Sequence, residues 1–271
     1  MSRSTLRPLI AAFAISCVLP YACAPKSKLT APEITLSPYG SLREVLWAVV
    51  PPTNESGTTL VNPLDMGDTL VQAIEEAQGL RCVPLNRTLD AMRALEMPAV
   101  RTPGDARRLG AAMGVDGIVV GTLTAYDPYT PTLGLSLALF ARPGSPGAGG
   151  GEPLKPWILE GAATEPTANG RVFSDRPQST ASMILDAKNH QVLMDLRRYA
   201  TGRSDDDSAL GWRRYTKSMA LYSQFACHKA VEELLRSEWS RLAQVRHAGE
   251  MNPSASRSDR YADVPEGREG P

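Results

Sequence analysis

Residue types and motifs on which many enzyme families depend are scarce or missing in these 271 residues. The chain has only four cysteines and three histidines, and it contains no Cys-x-x-Cys, His-Glu-x-x-His or Gly-x-Ser-x-Gly pattern. No Gly-Lys-Ser/Thr sequence follows the glycines at 149–151, so the phosphate-binding P-loop pattern is absent as well. We therefore predict no catalytic residue, no metal site and no cofactor.

The chain also has no net charge, which limits the class of partner that it could attract. The 29 basic and 29 acidic residues cancel, so no long-range field would attract a nucleic acid or another acidic polymer. Aromatic residues make up only 6% of the chain, too few for a platform that stacks bases or sugars. We expect protein partners and no nucleic acid.

The amino terminus has the pattern of an export signal. Arg3 and Arg7 precede residues 9–19, which carry no charge, and basic side chains resume only at Lys26. An apolar stretch of this length after a basic segment is typical of a secretory signal and is too short to span a bilayer as a helix. The sequence therefore predicts a lipoprotein-type signal peptide over residues 1–23.

Two cysteines in this leader are candidates for lipidation. Small residues precede Cys17, whereas Cys23 leaves a fuller apolar core before it but follows Pro20 and Tyr21. Either Cys17 or Cys23 would hold the protein on a membrane through several acyl chains, each contributing about 0.8 kcal/mol per buried CH₂. The alternative is an ordinary soluble export signal that is cleaved without lipidation.

Composition divides the remaining chain into three parts. Residues 24–41 are polar and contain proline, which is typical of a tether, and residues 247–271 are rich in serine, proline and charge, which predicts a disordered tail. Residues 42–246 are long enough for one domain, and the glycines and prolines at 143–156 predict a flexible insertion within it.

Hydrophobic periodicity predicts an α/β (α+β) domain. Early βαβ units are followed by antiparallel strands and a long C-terminal helix, which indicates a mixed sheet with helices packed on it. The leucines at 133, 135, 137 and 139 alternate with small residues, so one face of that strand should be buried. The predicted strands are 46–50, 80–84, 115–123, 133–140, 183–186 and 192–196, and the predicted helices are 65–78, one capped by Asn86, one starting at Thr102 or Asp105, and 217–245, whose apolar stripe includes Trp239.

Three stretches resemble one superfamily of envelope proteins. They are residues 49–57, an apolar strand followed by Pro, Asn, Ser and Gly; residues 109–122, a small-residue helix running into a strand that ends in Gly; and residues 185–193, an apolar-Asp-Ala-turn-apolar hairpin. The superfamily includes the curli-secretion lipoprotein, the lipoprotein activators of penicillin-binding proteins and the TolB amino-terminal domain. The resemblance implies an α/β domain for protein contacts, facing the periplasm at the outer membrane, and it carries over no catalytic residue.

The predicted function is a non-enzymatic, lipid-anchored adaptor or assembly factor of the cell envelope. Its partners would be envelope proteins, with the membrane contacted through the lipid anchor and with self-association left open. The polar loop containing Asn54 and a loop containing Tyr126 and Tyr129 are the predicted partner contacts. Two alternatives remain: a subunit of an outer-membrane secretion channel or ring, and a periplasmic enzyme, which a pocket gathering titratable groups from distant segments would indicate.

Overall fold

The computed structural model describes residues 32–39, 44–142, 176–204 and 208–251. Within these ranges six strands form one sheet, with helices on both of its faces. The strands are β1 (Val45–Val49), β2 (Thr53–Asn54), β3 (Leu80–Val83), β4 (Gly117–Asp127), β5 (Thr132–Ala141) and β6 (Ser179–Asp186). The helices are α1 (Pro63–Glu75), α2 (Leu85–Ala94), α3 (Pro103–Met113), α4 (His190–Ala200) and α5 (Met219–Met251), with a 3₁₀ turn at Gly211–Thr216.

The sheet is mixed, as the sequence predicts. Its strand order is β3-β1-β4-β5-β6, and the short β2 continues β1 alongside β4. Strand β1 is parallel to β3 and β4, whereas β5 is antiparallel to both β4 and β6. The predicted fold class, early βαβ units followed by antiparallel strands and a long C-terminal helix, is confirmed.

Connection handedness places the helices on opposite faces. Strands β1, β3 and β4 are parallel, and the connection from β1 to β3 runs across the sheet in the direction opposite to the connection from β3 to β4. Connections between parallel strands are almost always right-handed, so opposite directions put their helices on opposite faces. Helix α1 therefore packs with α4 and α5 on one face, and α2 and α3 pack on the other. The buried leucines of β5, at positions 133, 135, 137 and 139, point into the first of these two cores.

Local sequence signals explain where several helices begin and end. The Asn62 side chain accepts a hydrogen bond from the backbone of Leu64 at the start of α1. Helix α3 begins with a capping box in which Thr102 and Asp105 each accept from the backbone of the other, so both predicted starts belong to one motif. It ends at Gly114 in the left-handed conformation, with φ of 66°, as predicted.

Trp47 is the largest side chain at the centre of the sheet. It is fully buried on β1, and Gly117 of the neighbouring β4 leaves room for it. A Cβ on Gly117 would lie 2.8 Å from Trp47 Cδ1, closer than two carbon atoms can approach without displacement. A glycine at position 117 is therefore required by the indole ring of the adjacent strand.

The predicted hairpin at 183–196 is wrong in its second half. Residues 190–200 form α4, and Asn189, expected in a β-turn, is its N-cap, accepting from the Gln191 N–H at 2.9 Å. Val192, Leu196 and Tyr199 are buried on one side of this helix at spacings of four and three residues, a helical period. The first half of the prediction holds, because residues 183–186 end the longer strand β6.

Two further details differ from the prediction. Asn86 does not cap α2, because the helix already begins at Leu85 and its N-cap, Pro84, makes no side-chain bond. Trp239 is not part of the apolar stripe of α5, since 43% of its surface is exposed. The preceding residue, Glu238, is the buried one at this point of the helix, and its carboxylate forms an ion pair with Arg241.

Several predicted segments fall outside the described residues. These are the leader with Cys17 and Cys23, the insertion at 143–156 and residues 252–271 of the tail. In the part of the chain that the structure describes, no helix is both long enough and apolar enough to cross a membrane.

Candidate functional site

The sheet face opposite α1 and α5 is covered by helices over only part of its width. Helices α2 and α3 pack on β1, on the beginning of β4 and on the end of β5, where Ile118 and Phe140 are buried beneath them. Farther along β4 and out to β6, the side chains on this face are half-buried or exposed. We call this region the open face and define it by Thr122, Thr124, Ser136, Thr180, Ser182 and Ile184.

The strand register aligns the open face into rows. Thr122 pairs with Ser136, and Ser136 pairs with Ser182, so three hydroxyl side chains run across β4, β5 and β6. In the next row Ile184 lies opposite Gly134, and this isoleucine is 66% exposed. The open face is thus flat, uncharged and lined by small or β-branched side chains.

Strand β6 borders the open face and forms one end of the sheet. Among the described strands, only β5 pairs with its eight residues. From Ser179 to Leu185 it contains no charged residue and no proline. Natural edge strands usually carry such residues, because they block pairing with another chain. Within the part of the chain that the structure describes, this edge and the open face together form the candidate site.

Asn54 occupies β2 and makes its hydrogen bonds within its own loop. Its Oδ1 accepts from the Ser56 N–H at 3.1 Å and from the Ser56 hydroxyl at 2.6 Å, and its Nδ2 donates to the Thr58 carbonyl at 2.7 Å. This arrangement is typical of a side chain that shapes a turn. A partner contact at Asn54 stays a prediction.

Tyr126 and Tyr129 do not share a loop, contrary to the prediction. Tyr126 belongs to β4, opposite Leu133, and packs against the core beneath α5, so burial raises the pKa of its hydroxyl. Tyr129 lies in the β4–β5 turn with 89% of its surface exposed, and its N–H donates to Asp127 Oδ1 at 2.8 Å. Of the two tyrosines, Tyr129 is the one available to a partner.

A shallow pocket of about 110 Å³ lies at the junction of α1, α4 and α5 and tests the enzyme alternative. Glu76 and Tyr199 line it, from segments far apart in the chain. Arg203 donates to Glu76 Oε2 at 2.8 Å, and His228 Nδ1 lies 3.1 Å from the same oxygen. The guanidinium of Arg203 also sits 4.3 Å from the centre of the Tyr199 ring.

Electrostatics favour a structural role for the Glu76–Arg203 ion pair over acid–base catalysis by Glu76 or Tyr199. The hydrogen bond from His228 and the charge of Arg203 hold the pKa of Glu76 below its ordinary value, so the carboxylate stays ionised and paired at neutral pH. Burial raises the pKa of Tyr199, so its hydroxyl keeps its proton. A general acid or base needs a pKa near the working pH. The cluster instead joins α1, α4 and α5 through paired charges.

A second charged cluster is buried under the sheet edge, around Glu238 of α5. This carboxylate is 1% exposed and accepts from Arg241 Nε at 2.8 Å, from the Tyr39 hydroxyl at 3.1 Å and from the Ser179 hydroxyl. Burial and the neighbouring carboxylate raise the pKa of Tyr39, which therefore remains a hydrogen-bond donor. We call these four residues the Glu238 network. It connects the predicted tether, the first residue of β6 and α5.

Neither described cysteine is placed to act as a nucleophile. Cys82 and Cys227 are free and buried, as predicted, and burial raises the pKa of Cys82 to about 12 and that of Cys227 further. A thiol acts as a nucleophile or a metal ligand in its thiolate form, which burial suppresses. Among the described residues, no group of three histidine, cysteine or acidic side chains could hold a metal ion.

Comparison with known proteins gives matches to solved structures alone. No protein-family model matches the chain, and no curated protein is significantly similar to it. Among solved structures, the LpoB C-terminal domain from Salmonella enterica is 14% identical with a TM-score of 0.32, over 38% of this chain and 75% of that one. Lipoprotein GNA1162 from Neisseria meningitidis is 16% identical with a TM-score of 0.31, over 55% of this chain and 91% of that one.

A third similar structure is the PelC dodecamer from Paraburkholderia phytofirmans. It is 10% identical with a TM-score of 0.32, over 76% of this chain and 94% of that one. At such identities and TM-scores, the similarity carries no functional conclusion for this chain.

Proposed function

We propose that this protein is a non-enzymatic, lipid-anchored adaptor of the cell envelope that binds another envelope protein through its open face. The observation that carries the proposal is the open face itself, an uncharged part of the sheet that no described helix covers. Depletion of charged residues is typical of the centre of protein–protein interfaces. The occupant we propose is a protein with an equally uncharged surface, because a charged partner would lose its hydration here without an opposite charge in return.

Three further observations support the proposal. The paired charge of Glu76 and the buried thiols of Cys82 and Cys227, whose pKa values burial raises, support a non-enzymatic role. The leader pattern over residues 1–23 supports export and a lipid anchor at Cys17 or Cys23. The resemblance to envelope lipoproteins would place the domain in the periplasm at the outer membrane. The polar segment before residue 32 is suited to hold the domain at a distance from the bilayer.

The anchor can be tested by replacing both leader cysteines. We expect the full chain to remain in the membrane pellet after a high-salt wash, since acyl chains and not charges retain it. The double variant Cys17→Ser/Cys23→Ser should move into the soluble fraction, as measured by immunoblotting of separated fractions.

Each single replacement serves as the control for the other. The variant that loses the lipidated cysteine should be released, and the variant that keeps it should stay with the membrane. Unchanged fractionation of the double variant would contradict the anchor.

The open face can be tested by site-specific photocrosslinking in intact envelopes. A photoreactive residue at Thr124, an exposed position on the β4 side of this face, should give a covalent adduct with a different protein, identified by mass spectrometry. The matched control places the same residue at Asp68, which is exposed on α1 on the other side of the sheet.

A charged variant provides a second arm of the experiment. Ser136→Lys puts a charge in the hydroxyl row and should reduce the Thr124 adduct about tenfold, the loss expected for roughly 1.4 kcal/mol of binding free energy. Urea unfolding of Ser136→Lys shows whether the domain remains folded. Equal adducts from Thr124 and Asp68 would reject the open face as the binding surface.

A further inference from the structure

Part of the segment predicted as a tether lies on the folded domain. Leu36 forms a parallel bridge with Gln78, two residues before the start of β3. The Ser37 N–H donates to the Gln78 carbonyl at 2.9 Å, and the Gln78 N–H donates to the Thr35 carbonyl at the same distance. We call residues 35–39 the strap, because they run from the start of β3 to α5.

Tyr39 attaches the other end of the strap to the domain. Its ring packs edge-on against Trp47, with centroids 6.0 Å apart, and its hydroxyl donates to Glu238 Oε1 at 3.1 Å. Trp47 has no exposed surface, and Tyr39 packs on the core that the sheet shares with α1, α4 and α5. The strap is therefore bound at two points, by backbone hydrogen bonds at Gln78 and by the Tyr39 side chain.

The Glu238 network stays paired when the strap leaves. Arg241 donates to both carboxylate oxygens of Glu238 and the Ser179 hydroxyl donates to Oε2, whereas Tyr39 donates to Oε1 alone. A buried charge is costly when it loses its counter-charge, and here the ion pair with Arg241 remains. Removal of the Tyr39 hydroxyl therefore leaves no unpaired charge in the core.

Little else of the strap is buried against the domain. Leu36 is 57% exposed, and Ile34, just before the strap, is 58% exposed, so neither apolar side chain gains much from docking. Release returns conformational freedom to the strap residues, which offsets the loss of the Tyr39 contacts and of backbone hydrogen bonds that water can replace. Segments with few buried contacts open at a lower free energy than the whole domain.

We propose that the strap is released locally while the rest of the domain stays folded, and that its release lengthens the tether of the anchored protein. An extended chain spans about 3.4 Å per residue, so the strap adds about 17 Å to the greatest reach of the domain. The docked strap keeps the open face near the bilayer, and the released strap lets it meet a partner farther away. This inference rests on the lipid anchor of the proposed function, because a domain without an anchor gains nothing from a longer tether.

Thiol labelling of the full chain tests local release, with each cysteine read separately by mass spectrometry. Ser37→Cys places a thiol at a position that is 7% exposed, so a maleimide should react with it after release and not before. Native Cys227 is buried in the core and reports global unfolding, whereas Ile34→Cys reports an accessible thiol. We expect the Ser37→Cys thiol to react about tenfold or more faster than Cys227 and about tenfold or more slower than that of Ile34→Cys.

Either extreme of the labelling rate would overturn the proposal. A thiol at position 37 that reacts as slowly as Cys227 would make the strap a fixed part of the fold, released by global unfolding alone. A thiol at position 37 that reacts as fast as that of Ile34→Cys would show that the strap is not docked.

Tyr39→Phe tests which contact holds the strap. It removes the hydroxyl that donates to Glu238 but keeps the aromatic ring. The labelling rate of Ser37→Cys should rise about tenfold, since hydrogen bonds to charged groups are among the stronger ones, while Cys227 in the same molecules keeps its rate. Tyr129→Phe, at a position that is 89% exposed, is the control and should change neither rate. Equal rises at both cysteines, or no rise at position 37, would contradict this role of Tyr39.

A reversible disulfide tests the change in reach. Leu36 and Gln78 are paired and both exposed, and neighbouring strands lie about 4.8 Å apart, so Leu36→Cys/Gln78→Cys should form a disulfide that keeps the strap docked. The lipidated chain, also carrying Tyr39→Phe, is placed in vesicles with acceptor lipids. Energy transfer from a fluorescent residue at Tyr129 should be higher before reduction of this disulfide than after it. Equal transfer in the two states would overturn the longer tether.

The outcomes separate this inference from the proposed function. Labelling rates at position 37 depend neither on a membrane nor on a partner protein. Local release of the strap in a chain that the membrane does not retain would reject the anchor and keep the release. Capture of a different protein at Thr124 by a chain whose strap opens only on global unfolding would do the reverse.

Discussion

Replacing Glu238 with alanine is expected to lower the free energy of unfolding by about 3–5 kcal/mol, the cost of breaking a buried ion pair by removing one partner. Glu238 is 1% exposed, and its carboxylate accepts hydrogen bonds from Arg241, Tyr39 and Ser179. Without it, the two hydroxyls lose their acceptor and the half-buried guanidinium loses its counter-charge. Each of these groups had already been removed from water.

The same helix supplies a close control for this substitution. Glu233 forms an ion pair with Arg236 at the same three-residue spacing, but its side chain is 39% exposed. Exposed pairs of this kind contribute about 0–1 kcal/mol, so Glu233→Ala should change stability little. Urea unfolding of both variants gives the comparison, and similar losses in the two would show that burial of Glu238 adds nothing.

The conservative variant Glu238→Gln separates charge from shape. Glutamine keeps an acceptor oxygen for Tyr39 and Ser179 but removes the negative charge that Glu238 presents to Arg241. We expect its stability to lie between those of the unsubstituted chain and Glu238→Ala. A loss as large as that of the alanine variant would assign the whole effect to the ion pair with Arg241.

Replacing Trp47 with alanine is expected to destabilise the domain by about 3–5 kcal/mol, the range for a large aromatic side chain removed from a packed core. Trp47 has no exposed surface, and it fills the space left by Gly117 of β4. The Tyr39 ring packs edge-on against it, with centroids 6.0 Å apart. The substitution would leave a cavity between β1 and β4. It would also remove the packing partner of Tyr39, whose hydroxyl donates a hydrogen bond to Glu238.

Trp239 is the matched control for Trp47. It is the same residue type, but 43% of its surface is exposed on α5, so Trp239→Ala should cost much less than Trp47→Ala. Unfolding curves in urea measure both. Equal destabilisation by the two substitutions would contradict the central position of Trp47 in the core.

Hydrophobic periodicity predicted most of the fold because, in most elements, the buried residues recur at the period of a helix or of a strand. In β5 the alternating leucines indicate a strand, and in α1 and α3 the capping residues and the helical spacing of apolar residues indicate a helix. Helix α4 was missed because Val192 to Leu196, taken alone, fits a strand as well as a helix. The deciding signals were Asn189 as an N-cap and Tyr199 three residues beyond Leu196, which extend the helical period.

The candidate site could be predicted only in part, since it depends on what the helices leave uncovered. The sequence showed that one face of β5 carries small residues, but not that α2 and α3 stop short of that face. The Glu238 network lay beyond sequence reasoning for a similar reason. Its members Tyr39 and Glu238 are 199 positions apart, and no local pattern links positions so distant.

The location of the two sulfur atoms has a consequence for export. A chain secreted unfolded presents Cys82 and Cys227 to an oxidising compartment, where exposed thiols form mixed and wrong disulfides. In the folded domain Cys227 Sγ lies against Met66 Sδ at 3.5 Å, inside the core, and Cys82 is buried on β3. If the chain is exported as we propose, burial in the folded domain protects both thiols, and variants with a weakened core, which unfold more often, should accumulate more disulfide-linked species.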